Sequence, residues 1–446
     1  MKFDYKHILQ KLKPFIKSAT LMNVATVAII SVLVKVFGFY KEIVVLGSFG
    51  LSELLDTFYI AALIPGFINE VFLVSFKAVF IPNYVAEMKT TKRVGAFQST
   101  SFIITIGLGL VFMGLAFLFT DTYLNVFFSG HTDTYYSLVK TQFHYLAPCM
   151  IIWGLNSLLG GLLHVHNEFK FSSVHPIFTS IAMLICLFCF KDVLQEKVLA
   201  VGMLIGAITE SVFLLLVCLK KKVLSLEKPD FHTANTKLMF KEFPARISSS
   251  FLTGLIPATD QYFAAQLVIG SVAALNYGYK VPAFISTIFI LALGNVLLPY
   301  FSSLLIDNRE FAFKRLYAIV KMSLIGLLIF VVPLLFLSHY ITEILYERNE
   351  FTSADTLIVG NIQIAYLLAI PFTISSDIIV RFITSINKNR FLAYLSAFNL
   401  LLNIVLNYVL MQYYGVMGIA LCTTFVHILK TFILYRFSLK IKTMTS

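Results

Sequence analysis

Residues 99–120 read STSFIITIGLGLVFMGLAFLFT, a run without one charged side chain. A bilayer offers no water to backbone amides, so such a run must satisfy them internally, as a helix. At 1.5 Å per residue it is long enough to cross a hydrocarbon core of roughly 30 Å. Eleven more segments of this kind lie near 21–48, 54–82, 135–163, 171–190 and 198–219, then 246–269, 272–303, 316–341, 356–384, 390–411 and 415–436. Composition agrees: 58% of the 446 residues are hydrophobic and 13% charged, and the mean hydropathy is +0.85. A soluble fold is excluded. The expected fold class is an all-α integral membrane protein with about twelve transmembrane helices.

The net charge of +12 would suggest nucleic acid in a soluble protein. Here loop topology explains it. The first basic residues, Lys2, Lys6, Lys11, Lys13 and Lys17, precede a run too long for a signal peptide and without a small-residue cleavage site. Counted over alternate loops, 24 Lys and Arg fall on one side and three, Lys191, Lys197 and Arg348, on the other. The positive-inside rule places the 24 in the cytoplasm, with both termini. The excess then reflects topology and attraction to anionic lipid, and no nucleic-acid partner is needed.

The longest polar stretch, Lys220 to Arg246, divides the chain. The expected organisation is a basic N-terminus (1–20), an N-lobe of six helices (21–219), a cytoplasmic linker (220–245), a C-lobe of six helices (246–436) and a tail (437–446). An internal repeat supports the division: Ile64-Pro65-Gly66-Phe67-Ile68 answers to Val281-Pro282-Ala283-Phe284-Ile285, and Phe80-Ile81-Pro82 to Leu297-Leu298-Pro299, both at an offset of 217 residues. Ala147-Pro148 and Ile370-Pro371 are related at an offset of 223. Two parallel lobes around a central cavity, as in alternating-access transporters, are the expected arrangement.

Charges inside the spans carry the functional signal, because each costs several kcal/mol unless it meets a partner or a watered cavity. Lys140, Lys321, Lys430 and Asp56 lie near span ends, where snorkelling suffices. Asp377 and Arg381, four apart, are expected to pair. Lys35, Lys41 and Lys280 are expected to line the cavity, joined by Glu42, Glu70 and Asp260 as gate or ion-coupling acids. Glu70 and Lys77, seven apart, would share a helical face. Gly38, Pro65, Pro282 and Pro371 are candidate hinges or packing points.

Nothing in the sequence carries a Walker, HExxH or GxSxG motif, so an enzyme is not expected. His164 and His166, two apart near a loop, suit a loop role better than a metal site. His144 and His427 lie inside spans, where they could relay protons or simply pack. Cys149, Cys186, Cys189, Cys218 and Cys422 sit in apolar runs and are expected to be reduced packing residues.

Several stretches resemble MurJ/MviN-type lipid II flippases, a branch of the multidrug/oligosaccharidyl-lipid/polysaccharide exporter superfamily. Lys35-Val36-Phe37-Gly38-Phe39-Tyr40-Lys41-Glu42 is similar to their R-V-L-G-F-x-R-[DE], and Leu55-Asp56-Thr57-Phe58-Tyr59-Ile60-Ala61 to A-D-A-F-x-x-A. Ile64-Pro65 and Phe80-Ile81-Pro82 match L-P and F-V-P. In the second half, Gly270 to Lys280 resembles G-S-V-S-A-L-N-Y-A-x-R, Asp260-Gln261 a D-R pair, and Glu350 to Asp355 G-x-F-T-A-x-D. The resemblance implies a flippase that carries a polyprenyl-pyrophosphate-linked saccharide across the bacterial cytoplasmic membrane by alternating access. It also implies a pyrophosphate site at Lys35, Lys41 and Lys280. These are lysines where the family has arginines, so charge is kept and bidentate geometry lost. Asn69-Glu70 stands where the family has a basic pair, Tyr279 replaces an acid, and two further C-terminal helices of many members are not matched. Lipid II and a surface-polysaccharide repeat unit are therefore both plausible cargoes.

Two other functions compete: a cation-coupled drug exporter, which would rely on Asp56, Glu42 or Asp260, and a scaffold recruiting glycan-synthesis enzymes through its basic loops. No cofactor or metal is expected, and Na⁺, H⁺ or the membrane potential could drive transport. Expected partners are the lipid-linked saccharide, membrane lipids and possible glycan-synthesis enzymes.

Overall fold

The computed structural model describes residues 19–90 and 93–445, and these are helical nearly throughout. The basic cluster from Lys2 to Lys17 lies outside them. Helix α1 spans Ala19–Phe49 and α2 Glu53–Ile68; a π-helical turn, Asn69–Leu73, joins α2 to α3, Val74–Lys89. Then come α4 (Val94–Phe127), α5 (Asp133–Leu146), α6 (Cys149–Val165), α7 (Phe169–Val174), α8 (Ile177–Leu194) and α9 (Val198–Lys220). The second half holds α10 (Ala234–Ala265), α11 (Ser271–Asp307), α12 (Arg309–Tyr346), α13 (Ser353–Ser385) and α14 (Asn389–Thr445). Gly415, at φ 56°, breaks α14 where the eleventh and twelfth expected spans meet. Each of the twelve expected segments falls on this helical order. Among the described residues, seven helical stretches are long and apolar enough to cross a membrane, and two of them, Phe169–Lys220 and Asn389–Thr443, join two expected spans.

Local chemistry sets the boundaries. The Asn308 side chain accepts from Phe311 N–H at the start of α12, and Thr352 with Asp355 forms a capping box at the start of α13. Helix α10 starts at Ala234 rather than near 246, because a helix leaving the bilayer no longer needs apolar residues to continue. Pro65, Pro282 and Pro371 all lie within helices. Pro148, the repeat partner of Pro371, instead caps α6.

The chain forms two compact units. The first comprises residues up to Glu42, Ile68–Leu118 and His144–Ile247. Its core stacks Phe76, Phe80 and Phe97 against Leu158, Leu162 and Met239. Helices α8 and α9 meet through Gly202 and Gly206, where an added Cβ would stand 2.9 Å from Met183 Cα and 2.5 Å from Thr179 Cα. This small-residue stripe permits the close approach that membrane helices use in place of a hydrophobic driving force. Residues 223–230 form a strap on the start of α4: Gln98 donates to the Val223 carbonyl at 2.9 Å, and Ser225, Glu227 and Asp230 N–H donate to Gln98, Ser99 and Thr100.

The second unit comprises Ile43–Phe67, Phe119–Phe143 and Ser248–Ser446. Its core gathers Phe301, Phe313, Leu316, Ile370, Ile374 and Phe382 from α11, α12 and α13.

Candidate substrate and ion sites

In the first unit, Lys41 and Glu42 are partners, with Nζ and Oε1 2.5 Å apart and both side chains largely buried. They point about 100° apart around α1, yet two long side chains close that gap. Lys35 is exposed, two turns earlier on the same helix. Gly38 faces α8, where an added Cβ would lie 3.7 Å from Ser180 Oγ. Glu70 and Lys77 do not share a face: Glu70 sits in the π turn Asn69–Leu73, whose wider winding rotates α3 relative to α2. Glu70 is exposed and Lys77 half-buried.

A buried glutamate sits between α8 and α9. Glu210 accepts from Thr179 Oγ1 at 3.0 Å and pairs with His175 Nδ1. An acid that would otherwise be costly in a span thereby finds hydrogen-bond partners within the unit.

In the second unit, Asp56 does what its position in sequence did not suggest. It is 3% exposed, and its carboxylate accepts from Gly270 N–H and Ala273 N–H, each at 2.7 Å. Residue 56 of α2 thus caps α11, 214 to 217 residues away. Gly270, at φ 92°, takes the left-handed conformation that opens the helix start to this carboxylate. The charge meets the positive end of the helix dipole and two otherwise unpaired donors. Beside it, Glu350 N–H donates to the Gly47 carbonyl at 3.1 Å, and Gly50, at φ 58°, leaves no room for a Cβ against Glu350. Snorkelling does not describe Asp56; the sequence signals that could have found it are the glycine before α11 and the acid at the start of α2.

Three residues from the α2 and α11 starts form the next layer. The Tyr59 and Tyr277 rings meet edge to face at 6.1 Å, and Lys280 Nζ lies 6.0 and 5.8 Å from their centroids. Aromatic faces stabilise an ammonium, and these two rings hold that of Lys280.

Asp260 anchors a separate polar cluster. Its Oδ1 accepts from Asn403 and Asn407 at 3.0 and 2.7 Å, and its Oδ2 from Thr423 at 3.0 Å. The amide oxygens of Asn399 and Asn407 are buried without a donor. A cavity of about 160 Å³ opens beside the carboxylate, lined also by Gln261, Asn276, Tyr366 and His427. Of the three candidate acids, Glu42 is tied to a lysine and Glu70 is exposed, whereas Asp260 is buried among neutral oxygen- and nitrogen-bearing groups. Elsewhere Arg381 pairs with Asp377 at 3.7 Å, as the spacing predicts, and Lys140 meets Asp121 at 2.5 Å.

A profile of the family described as "Lipid II flippase MurJ" matches residues 45–446. A probable lipid II flippase of Rickettsia prowazekii is 25% identical over 424 residues, covering 93% of this chain and 82% of its own length. A lipid II flippase of Thermosipho africanus is 26% identical over 394 residues, covering 87% and 80%. Among solved structures, a lipid II flippase in an inward closed conformation superposes with a TM-score of 0.80 at 24% identity, over 93% of this chain and 87% of that one. An inward-facing multidrug resistance MATE transporter of the MOP superfamily gives 0.75 at 12% identity, over 94% and 99%. These superpositions establish the all-helical membrane transporter fold.

Proposed function

The chain belongs to the lipid II flippase MurJ family, and we propose from this that it moves a polyprenyl-pyrophosphate-linked saccharide across the bacterial inner membrane, with Lys35, Lys41 and Lys280 holding the pyrophosphate. It is a multi-pass transporter and not an enzyme. The observation that carries the residue assignment is Lys280, a half-buried ammonium held against two tyrosine rings. A pyrophosphate is a compact anion that cannot enter hydrocarbon bare, and lysines in a site of low effective dielectric attract it far more strongly than in water. The isoprenoid tail can remain in lipid while the head group passes.

The loop charges put both termini in the cytoplasm, which sets the α1–α2 turn and the start of α11 on the outer side. The Asp56 cap is then an outer latch, released when the substrate leaves. Motion takes the form of alternating access between the two six-helix lobes, with Gly38, Pro65, Pro282 and Pro371 as bending points. Glycan-synthesis enzymes are the partners that would deliver and consume the cargo.

Asp260 is the coupling acid in this reading. Half-turns of the Asn403 and Asn407 amides would replace their donating nitrogens with oxygens, giving a hard cation a carboxylate, amide oxygens and the Thr423 hydroxyl. The test is translocation of a labelled lipid-linked saccharide in vesicles containing the purified protein, with Na⁺ and pH gradients imposed separately. Wild-type protein is expected to translocate, and Asp260→Asn to lose its response to whichever gradient drives wild type. A wild type that moves no lipid-linked saccharide refutes the flippase reading; an unchanged gradient response in Asp260→Asn removes Asp260 from coupling.

A further inference from the structure

Several half-buried cations inside the spans are answered by a partner: Lys41 by Glu42, Lys140 by Asp121, Arg381 by Asp377, Lys280 by two rings. Lys77 of α3 is not. Among the described residues no carboxylate, carbonyl or hydroxyl accepts from its ammonium. A half-buried, unanswered cation within a spanning helix is expensive, and the expense is removed when an anion arrives.

The surroundings are built for such an arrival. The π turn Asn69–Leu73 ends four residues before Lys77; single π turns inside α-helices are rare and concentrate at functional sites. Across from it on α6, a Cβ added at Gly161 would stand 3.8 Å from Lys77 Cε. The lysine stem therefore lies against nearly bare backbone. His164, three residues beyond Gly161 and so on the same face of α6, is exposed. Two acids further along are engaged elsewhere: Glu242 accepts from Asn83 at 3.1 Å and Glu87 from Asn235 at 2.6 Å. Glu70 lies within the π turn and is exposed. His166, next along, is taken up by Tyr84 at 3.2 Å. Two basic side chains are thus presented from adjacent helices with no acid between them, an arrangement that a multiply charged anion stabilises.

We propose that Lys77 and His164 form an anion site within the first compact unit that binds a diphosphate, deepening the flippase reading on which it rests by giving the pyrophosphate of the lipid carrier a second station. The ammonium supplies the charge and the imidazole N–H a directed donor.

The experiment uses the full-length protein in phosphatidylcholine nanodiscs, with inorganic pyrophosphate and farnesyl pyrophosphate as probes and phosphatidylglycerol as competitor. Wild type is expected to bind both diphosphates. Lys77→Gln is expected to weaken both by about tenfold or more, the loss typical of a hydrogen bond to a charged group. Lys77→Arg should restore affinity, and His164→Gln, which keeps the lysine, should lower it by a smaller factor. Binding of inorganic pyrophosphate identifies the diphosphate itself as the recognised group; a strict need for the farnesyl chain, or full displacement by phosphatidylglycerol, overturns the assignment in favour of a lipid surface. Should Lys77→Gln fail to fold, the Lys77→Arg and His164→Gln variants decide. Vesicle translocation by wild type separates the two readings: normal translocation with unaltered diphosphate affinity in both Lys77→Gln and His164→Gln sinks this site alone.

Discussion

Asp56→Ala is expected to lower the unfolding midpoint of the detergent-solubilised protein by about 4–8 °C and to reduce translocation strongly. The carboxylate accepts two backbone N–H groups at 2.7 Å each and is 3% exposed. Truncation leaves the first turn of α11 without its cap, and losing a cap of this kind costs about 2 kcal/mol, which converts to the stated shift at about 2–4 °C per kcal/mol. The transport effect comes from what the cap joins, the start of α2 to the start of α11. Asp56→Asn keeps one acceptor and should fall between wild type and alanine in both readouts. Equal midpoints and equal transport in all three proteins would show that the Asp56 cap supports neither folding nor transport.

Lys280→Gln should show the opposite division of effects, with stability nearly preserved and transport reduced about 10- to 100-fold. The rings of Tyr59 and Tyr277 contribute only about 0.5–1 kcal/mol to holding the ammonium. The charge matters far more to a pyrophosphate, since a hydrogen bond to a charged group is worth about 1.5–3 kcal/mol. Lys280→Arg retains the cation and should retain most of the rate. A Lys280→Gln protein that is stable and fully active would place the substrate elsewhere.

The helical order was legible because bilayer thickness fixes the length of each apolar run, and segments such as 99–120 carry no competing signal. The start of α10 was not, because charged residues such as Lys237, Lys241, Glu242 and Arg246 interrupt the apolar run while the helix continues outside the constraint that made the other boundaries readable. Asp260 could be picked out as a buried acid, and Asn403 and Asn407, four apart, as sharing a face; that they face Asp260 is a matter of tertiary packing. Asp56 was misjudged for a related reason: its partners are backbone N–H groups, signalled in the sequence only by the glycine before α11. Lys41 and Glu42 point about 100° apart around α1, yet side-chain length lets them meet. The separation of Glu70 from Lys77 depends on a π turn whose residues, Asn69-Glu70-Val71-Phe72-Leu73, are unremarkable for an α-helix.

The claim on which the transport mechanism turns is that membrane-embedded lysines recognise a diphosphate, and direct binding tests it with least intervening inference. Farnesyl pyrophosphate and farnesyl monophosphate should be titrated into nanodisc-embedded wild type and into the stable double variant Lys41→Gln/Lys280→Gln. The expected result is that wild type prefers the diphosphate and that the double variant loses that preference along with about 100-fold or more in affinity. Equal diphosphate affinity in the two proteins would contradict it.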